Sequence, residues 1–467
     1  MGNGGRRRVA LNEGEDLETK GNGKKNAASA PWRTLAKAAC VAKNVGRFRN
    51  AENKGETNED GETSDALNDE KKRSATRIWE AKKTEAENAL ANPAEARSVV
   101  ANFKKWVEKF ASPKSFATRT NAAFESVKTL FRALEATFFG GYRGFSKKTL
   151  VALTAAALYC VAPVDAIFDW IPGLGLCDDL FVVAAALKAF AAETRTFRRW
   201  ERTKAARELF AGTARRLAEV ERVVLCPGWQ SADASCDEIV ETLRPIFPRA
   251  TFERFGWPSN VPWKTAREYV DGDGVEAFAQ FAATLPTEPA KVAVVGHSLG
   301  ARLTVRALAR RVRDGESPFG AAFLLGAAVD ADEPEVEAAA RGVLAPLGNF
   351  FAAADRVLKY AYRTAEGKRP LGLRGAEEKW ENYVDCEVSG DEEFWLEFGE
   401  NAASAAALLG NKALWVKFPL SADLAAKAME ASRHCFAQYA SFFRDVFNGE
   451  AGEIPARGAV DVAKIKE

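Results

Sequence analysis

Gly296-His297-Ser298-Leu299-Gly300 has the spacing G-x-S-x-G and follows directly on the apolar run Val292-Ala293-Val294-Val295. The chemistry that suits this spacing is attack by a serine hydroxyl on an acyl carbon. A strand turning sharply into a helix holds the serine strained with its hydroxyl exposed, and Gly296 and Gly300 leave room for the turn. Ala301 to Val312 reads as the helix that must follow. The backbone N–H of Leu299, at the positive helix end, would face negative charge developing on an oxyanion. A second donor is expected after an earlier strand, where Val223 to Cys226 runs into Pro227-Gly228-Trp229-Gln230. Trp229 or Gln230 would supply that N–H, or the segment is a plain strand-ending turn. With 35 glycines in the chain the pentapeptide alone is weak, and its strand-and-helix setting gives it weight. The bland alternative is an ordinary turn in which Ser298 caps a helix.

A serine hydroxyl at neutral pH needs a general base, and histidine is the usual one. The chain has two histidines. His297 adjoins Ser298, where its side chain would normally point away, so His434 is the expected base, and its place after the acid fits the chain order serine, acid, histidine. For the acid, Asp355 ends the short apolar run from Asn349 to Ala354. Asp330, Asp332, Asp385 and Asp391 compete with it, and a surface or capping role is the alternative for each. No metal or cofactor is expected.

The elements that must position these residues follow from the rest of the chain. Of 467 residues, 47% are apolar and 28% charged, with a net charge of +2, which fits a globular chain without the basic field that nucleic acid would need. Seven cysteines without a C-x-x-C pair point to a reducing compartment, and the first residues contain no apolar core of a secretory signal. Residues 1–95 read as a mostly disordered tail, rich in Gly, Asn, Glu and Lys. Residues 96–217 read as helical, with a hairpin at 141–192 whose apolar arms, Thr149 to Val164 and Leu180 to Ala192, are short for spanning a bilayer. A basic helix is expected from Thr194 to Arg222, its cations forming a solvated face. From 218 to 450 the rhythm becomes short strands between helices: Val223 to Cys226, Thr251 to Phe255, Val292 to Val295, Ala322 to Leu325, Asn349 to Ala353 and Tyr383 to Val388. Residues 451–467 are a second tail. The expected class is α/β: an α/β-hydrolase-type, largely parallel sheet, preceded by a small all-α helical-hairpin region and a disordered N-terminal tail.

Two resemblances add to this reading. Gly296 to Arg302, then Asn349 to Arg363 with its Asn-x-x-x-x-x-Asp-x-x-Leu pattern, and His434 with Tyr439 resemble a poorly characterised α/β-hydrolase family that includes transmembrane and coiled-coil domain proteins. The resemblance implies a triad of Ser298, Asp355 and His434. The stretch from Ser389 to Ala431 is longer than that family's pattern, and could be a lid. Upstream, Tyr159 to Leu180 resembles the YkvA-type family of unknown function. Pro163, Asp165, Asp169, Pro172, Gly175, Asp178 and Asp179 fit its pattern P-x-D-x-x-x-D-x-x-P-x-x-G-x-x-D-D. That resemblance implies a small membrane-associated or interaction hairpin, not an enzyme. Its aspartates could hold a divalent cation, although helix capping explains them as well.

Together these residues lead to the expectation of a serine hydrolase cleaving an ester, thioester or lipid acyl bond. The alternative is a membrane-associated scaffold with an inactive hydrolase fold. A small-molecule or lipid ester is the expected partner and nucleic acid is not. The expected location is cytoplasmic, with the 149–192 hairpin either peripheral at the inner face of a membrane or packed on the hydrolase domain.

Overall fold

The structure, a computed structural model, describes residues 77–110, 121–162, 176–230, 234–390 and 434–448. Its first part is helical: α1 over 77–91, α2 Pro93–Phe110, α3 Asn121–Phe138, α4 Lys147–Cys160, α5 Leu176–Ala189, α6 Ala191–Leu209 and α7 Thr213–Ala218. The disordered tail expected over 1–95 is therefore drawn too long at its C-terminal end. Trp79, Ala86, Ala89 and Leu90 recur at helical spacing and are buried in one core with Val100 and Phe103 of α2. An apolar stripe carrying a tryptophan and a leucine stabilises a helix even amid many charges.

Both arms of the expected hairpin form, as α4 and α5. Every residue of α4 from Thr149 to Cys160 is buried. It packs against α2, α3 and α5, so its apolar surface is met within the helical region and not by the sheet. Ser146 caps it, accepting from the Thr149 N–H at 3.2 Å, and in turn donates its own N–H and hydroxyl to Glu193 of α6 at 2.8 and 3.0 Å. Pro163, Asp165, Asp169, Pro172 and Gly175 lie outside the described residues.

The single basic helix expected over Thr194 to Arg222 is instead two helices and the start of a strand. It breaks after Phe210, whose ring stacks on Phe350 at 5.9 Å, through Gly212 at φ +90°, a left-handed turn that glycine adopts without Cβ strain. Nor are its cations simply a solvated face. Arg198 is buried and donates to Thr129 Oγ1 at 3.2 Å, Arg199 binds Asp445 at 2.9 Å, and Arg207 donates to the Asp445 and Val446 carbonyls. The first bond ties α6 to α3, and those of Arg199 and Arg207 fasten it to the last helix of the sheet region.

That region runs β1 Arg222–Cys226, α8 Ala234–Leu243, β2 Thr251–Arg254, α9 Trp263–Asp271, α10 Asp273–Thr284, β3 Val292–His297, α11 Leu299–Arg313, β4 Ala321–Leu325, α12 Glu335–Arg341 and β5 Leu347–Ala352. A π-helical turn, Val357–Tyr362, leads into α13 Arg363–Glu366, α14 Leu371–Arg374, β6 Tyr383–Ser389 and α15 Phe436–Phe447. All six expected strands form, each within two residues of its expected bounds. They pair in the order β2-β1-β3-β4-β5-β6, every neighbour parallel. Strands this apolar need cover on both faces. Val292, Val294, Ala322 and Leu324 face a core under α9 to α12, whereas Ala293, Val295, Ala321 and Phe323 face one built with α8 and α15. The chain leaves β1 towards one edge and returns to start β3 on its other side. The carboxyl ends of β1 and β3, where Cys226 pairs with Gly296, therefore border the crevice at which such sheets place ligands.

Candidate active site

Ser298 stands in that crevice between β3 and α11, at φ 55° and ψ −121°, a conformation costly for a residue with a Cβ. The surroundings hold it there. Its N–H donates to the Leu325 carbonyl at 3.0 Å, and its own carbonyl accepts from Ala301 at 3.1 Å and Ala328 at 3.1 Å. Gly300 is required because a Cβ there would lie 2.0 Å from the Cys226 carbonyl oxygen, and one on Gly296 would lie 2.5 Å from Thr304 Oγ1. These contacts press α11 against the ends of β1 and β3, which is why the turn is tight.

Around this serine the structure brings together the three residues that the sequence nominated. Ser298 Oγ lies 2.8 Å from His434 Nε2, and His434 Nδ1 lies 2.5 Å from Asp355 Oδ2. The network assigns the tautomer: Nδ1–H donates to the carboxylate, which leaves Nε2 to accept from the hydroxyl. Asp355 follows β5 directly, and its Oδ1 accepts the Leu358 N–H at 2.9 Å, so the turn after the strand orients the carboxylate. All three side chains are nearly or fully buried, with Ser298 5% exposed.

The competing carboxylates are engaged elsewhere. Asp330 accepts from the Tyr362 hydroxyl at 2.7 Å and pairs with Lys368 at 3.1 Å, and Asp332 lies 3.7 Å from Lys368. Asp385 takes the Asn349 amide at 2.7 Å, the Tyr383 hydroxyl at 2.7 Å and the Ala376 N–H at 2.9 Å. Asp391 lies outside the described residues, as does most of the long stretch before His434.

Sequence reasoning paired Tyr439 with His434 by resemblance but missed what it does. Its hydroxyl donates to Asp355 Oδ2 at 2.8 Å, the same oxygen that meets His434. Burial, reinforced by Asp355, pushes its phenol well above the ordinary tyrosine value, so it remains a donor. Spacing contained a usable signal, since His434 and Tyr439 flank the first turn of an amphipathic helix. His297 does not simply point away. It stacks on Phe436 at 4.9 Å, 6° from parallel, and lies 5.0 Å from the His434 ring. Burial, then the neighbouring His434, holds its pKa well below the usual 6.5, so it is a neutral spacer behind His434.

Gly228 brings the β1 loop against the serine, since a Cβ there would lie 2.8 Å from Ser298 Cβ. Of the two residues expected to offer a second N–H, Gln230 donates its own to the Ser259 carbonyl at 3.0 Å. The indole of Trp229 is fixed by the Val261 carbonyl at 2.7 Å and by an edge contact with Trp263. Leu299, fully buried, opens α11 as expected. Among the described residues no group of three or more His, Cys, Asp or Glu could hold a metal ion.

Fold and site thus define an α/β protein with a serine, a histidine and an aspartate hydrogen-bonded in series at the crevice of a parallel sheet. Its likeness to known proteins lies elsewhere in the chain. Residues 149–185 match a family described as "Protein of unknown function (DUF1232)". A Bacillus subtilis (strain 168) protein named "Uncharacterized membrane protein YkvA" is 35% identical over 92 residues, which cover 87% of that protein and 19% of this chain. Through its helical segment the chain belongs to this YkvA-type family. No solved structure matches it. Among the described residues no helix is long and apolar enough to cross a membrane.

Proposed function

We propose that the sheet region is an α/β-hydrolase-type domain and the chain a serine hydrolase, cleaving an ester, thioester or lipid acyl bond through an acyl-enzyme on Ser298. The continuous hydrogen-bond chain from Ser298 through His434 to Asp355 carries this reading. In this scheme His434 Nε2 takes the hydroxyl proton as Ser298 Oγ bonds to the acyl carbon, and Asp355 stabilises the imidazolium. The oxyanion faces the N–H groups of Leu299 and Trp229. Collapse breaks the bond to the alcohol or thiol, which leaves with the proton from His434. Water then repeats the two steps and frees Ser298.

A fluorophosphonate probe on the full chain is the test. Covalent labelling that disappears in Ser298→Ala, with thermal unfolding unchanged, is the expected result. Absence of labelling in folded protein would overturn the enzyme reading and favour the scaffold.

One observation favours a membrane-surface location as well: the relative sharing the helical segment is described as a membrane protein. We propose peripheral contact, not crossing, because α4 is buried within its own helical region. Deleting 149–192 would remove core and unfold the region, so the intact chain is the material to use. Co-sedimentation with anionic vesicles at low salt is expected, and recovery wholly in the supernatant would refute it.

A further inference from the structure

Beyond the carboxyl end of β5 lies a cavity of about 230 Å³ lined by four cations, Lys359, Arg363, Arg369 and Arg374, with Ala353 and Leu373. On α11, by contrast, Arg302 is matched by Asp271 and Arg306 by Glu333 and Glu335. At the three lining arginines the match is incomplete among the described residues. Arg369 meets Glu377 at 2.8 Å, but its Nε is buried without a hydrogen-bond partner among the described residues. Arg363 and Arg374 form no ion pair among the described residues, and both are exposed at the rim. Like charges gathered in a concave site focus a positive potential, and guanidinium groups present paired N–H donors that match phosphate oxygens.

The position of the cavity relates it to the chemistry. Ala353 stands two residues before Asp355, and Lys359 lies on the turn that bears it, its N–H donating to the Asp355 carbonyl at 3.1 Å. The cavity therefore opens on the same carboxyl-end rim of the sheet as Ser298, on the side of the acid. We propose that it is a phosphate subsite, and that the substrate is an acyl ester or thioester whose alcohol or thiol portion bears a phosphate. The substrate half of this proposal rests on the serine-hydrolase reading; the phosphate site does not.

Two measurements on the full chain test the halves separately. Inorganic phosphate titrated calorimetrically into the Ser298→Ala protein should bind saturably, and binding should weaken at least about tenfold in Arg363→Glu/Arg374→Glu made on that background. Both substitutions lie at exposed positions, and the milder Arg363→Gln/Arg374→Gln pair serves if the charge reversal unfolds. No saturable binding, or equal binding in the variant, overturns the subsite. With Ser298 intact, octanoyl-coenzyme A, a 1-acyl-glycerol 3-phosphate and the neutral p-nitrophenyl octanoate are compared. The preference for a phosphate-bearing substrate over the neutral ester should fall about tenfold in the double variant. The soluble thioester losing its advantage identifies a carrier-type source, and the glycerol phosphate losing it identifies a lipid headgroup. An unchanged preference overturns the substrate class. If phosphate binds and the variant loses it while fluorophosphonate never labels Ser298, the subsite stands and the hydrolase reading falls.

Discussion

The helical region and the sheet region use buried polar groups in opposite ways. In the helical region buried and half-buried polar groups tie helices together: Glu193 binds Ser146 on the cap of α4, Arg198 reaches Thr129, and Arg132 meets Glu201 at 2.7 Å. None of these contacts needs an unusual backbone. In the sheet region a serine is held in a costly conformation so that its hydroxyl meets a buried imidazole, itself held by a buried carboxylate. A cap or a core would be more stable without that strain, so its presence points to chemistry. Yet the match to known proteins falls on the helical side, at 149–185. Family likeness and the Ser298–His434–Asp355 hydrogen-bond chain thus occupy different regions of one chain, and the former says nothing about the latter.

The largest effect that could break this contrast is at the base. His434→Ala is expected to lower kcat on a generic ester by about a thousandfold or more, against about tenfold for His297→Ala, because only His434 touches the serine. Were His297→Ala the inactive variant, the roles of the two histidines would be reversed. Next comes the phenol behind the acid. Tyr439→Phe keeps the ring but removes a donor to Asp355, and should cost about tenfold in kcat and about 1–2 kcal/mol in stability. A stability loss with kcat untouched would make this bond part of the core alone.

Acid titration sharpens the comparison further. His297 is buried neutral, with its folded pKa well below 6.5. Below pH 6.5 the unfolded chain therefore takes up a proton there that the folded chain refuses. Stability present above pH 6.5 is lost as pH falls towards the folded value, by at most about 1.4 kcal/mol per unit. His297→Phe should remove that component, so chemical unfolding at pH 7.0 and 5.5 should show a smaller difference than in the wild type. Identical differences would mean that His297 accepts its proton in place. The smallest effect is expected where the regions meet: Arg199, 44% exposed beside Asp445, should cost under about 1 kcal/mol when changed to Ala. A loss several times larger would make that junction a stability element, and the two halves one cooperative unit.

Much of this architecture was legible in local sequence. The apolar run into Gly296-His297-Ser298-Leu299-Gly300 encodes a strand, a turn and a helix within about twenty residues, and each strand showed its own short apolar signature. Local spacing also contained the α1 stripe of Trp79, Ala86 and Leu90, which composition obscured. What tertiary structure alone decided is which distant groups meet. Five aspartates were eligible in the sequence, and it is the parallel pairing of β4, β5 and β6 that places Asp355 at the crevice while tying Asp385 to Asn349. Whether α4 meets lipid or protein was equally undecided by its hydropathy, because an apolar helix satisfies either; α2, α3 and α5 close around it. The periodicity of a segment determines its own backbone and its apolar face. The chain distance of 136 residues between Ser298 and His434 is bridged only by strand order and by packing of α15 on the sheet, neither of which any local window contains.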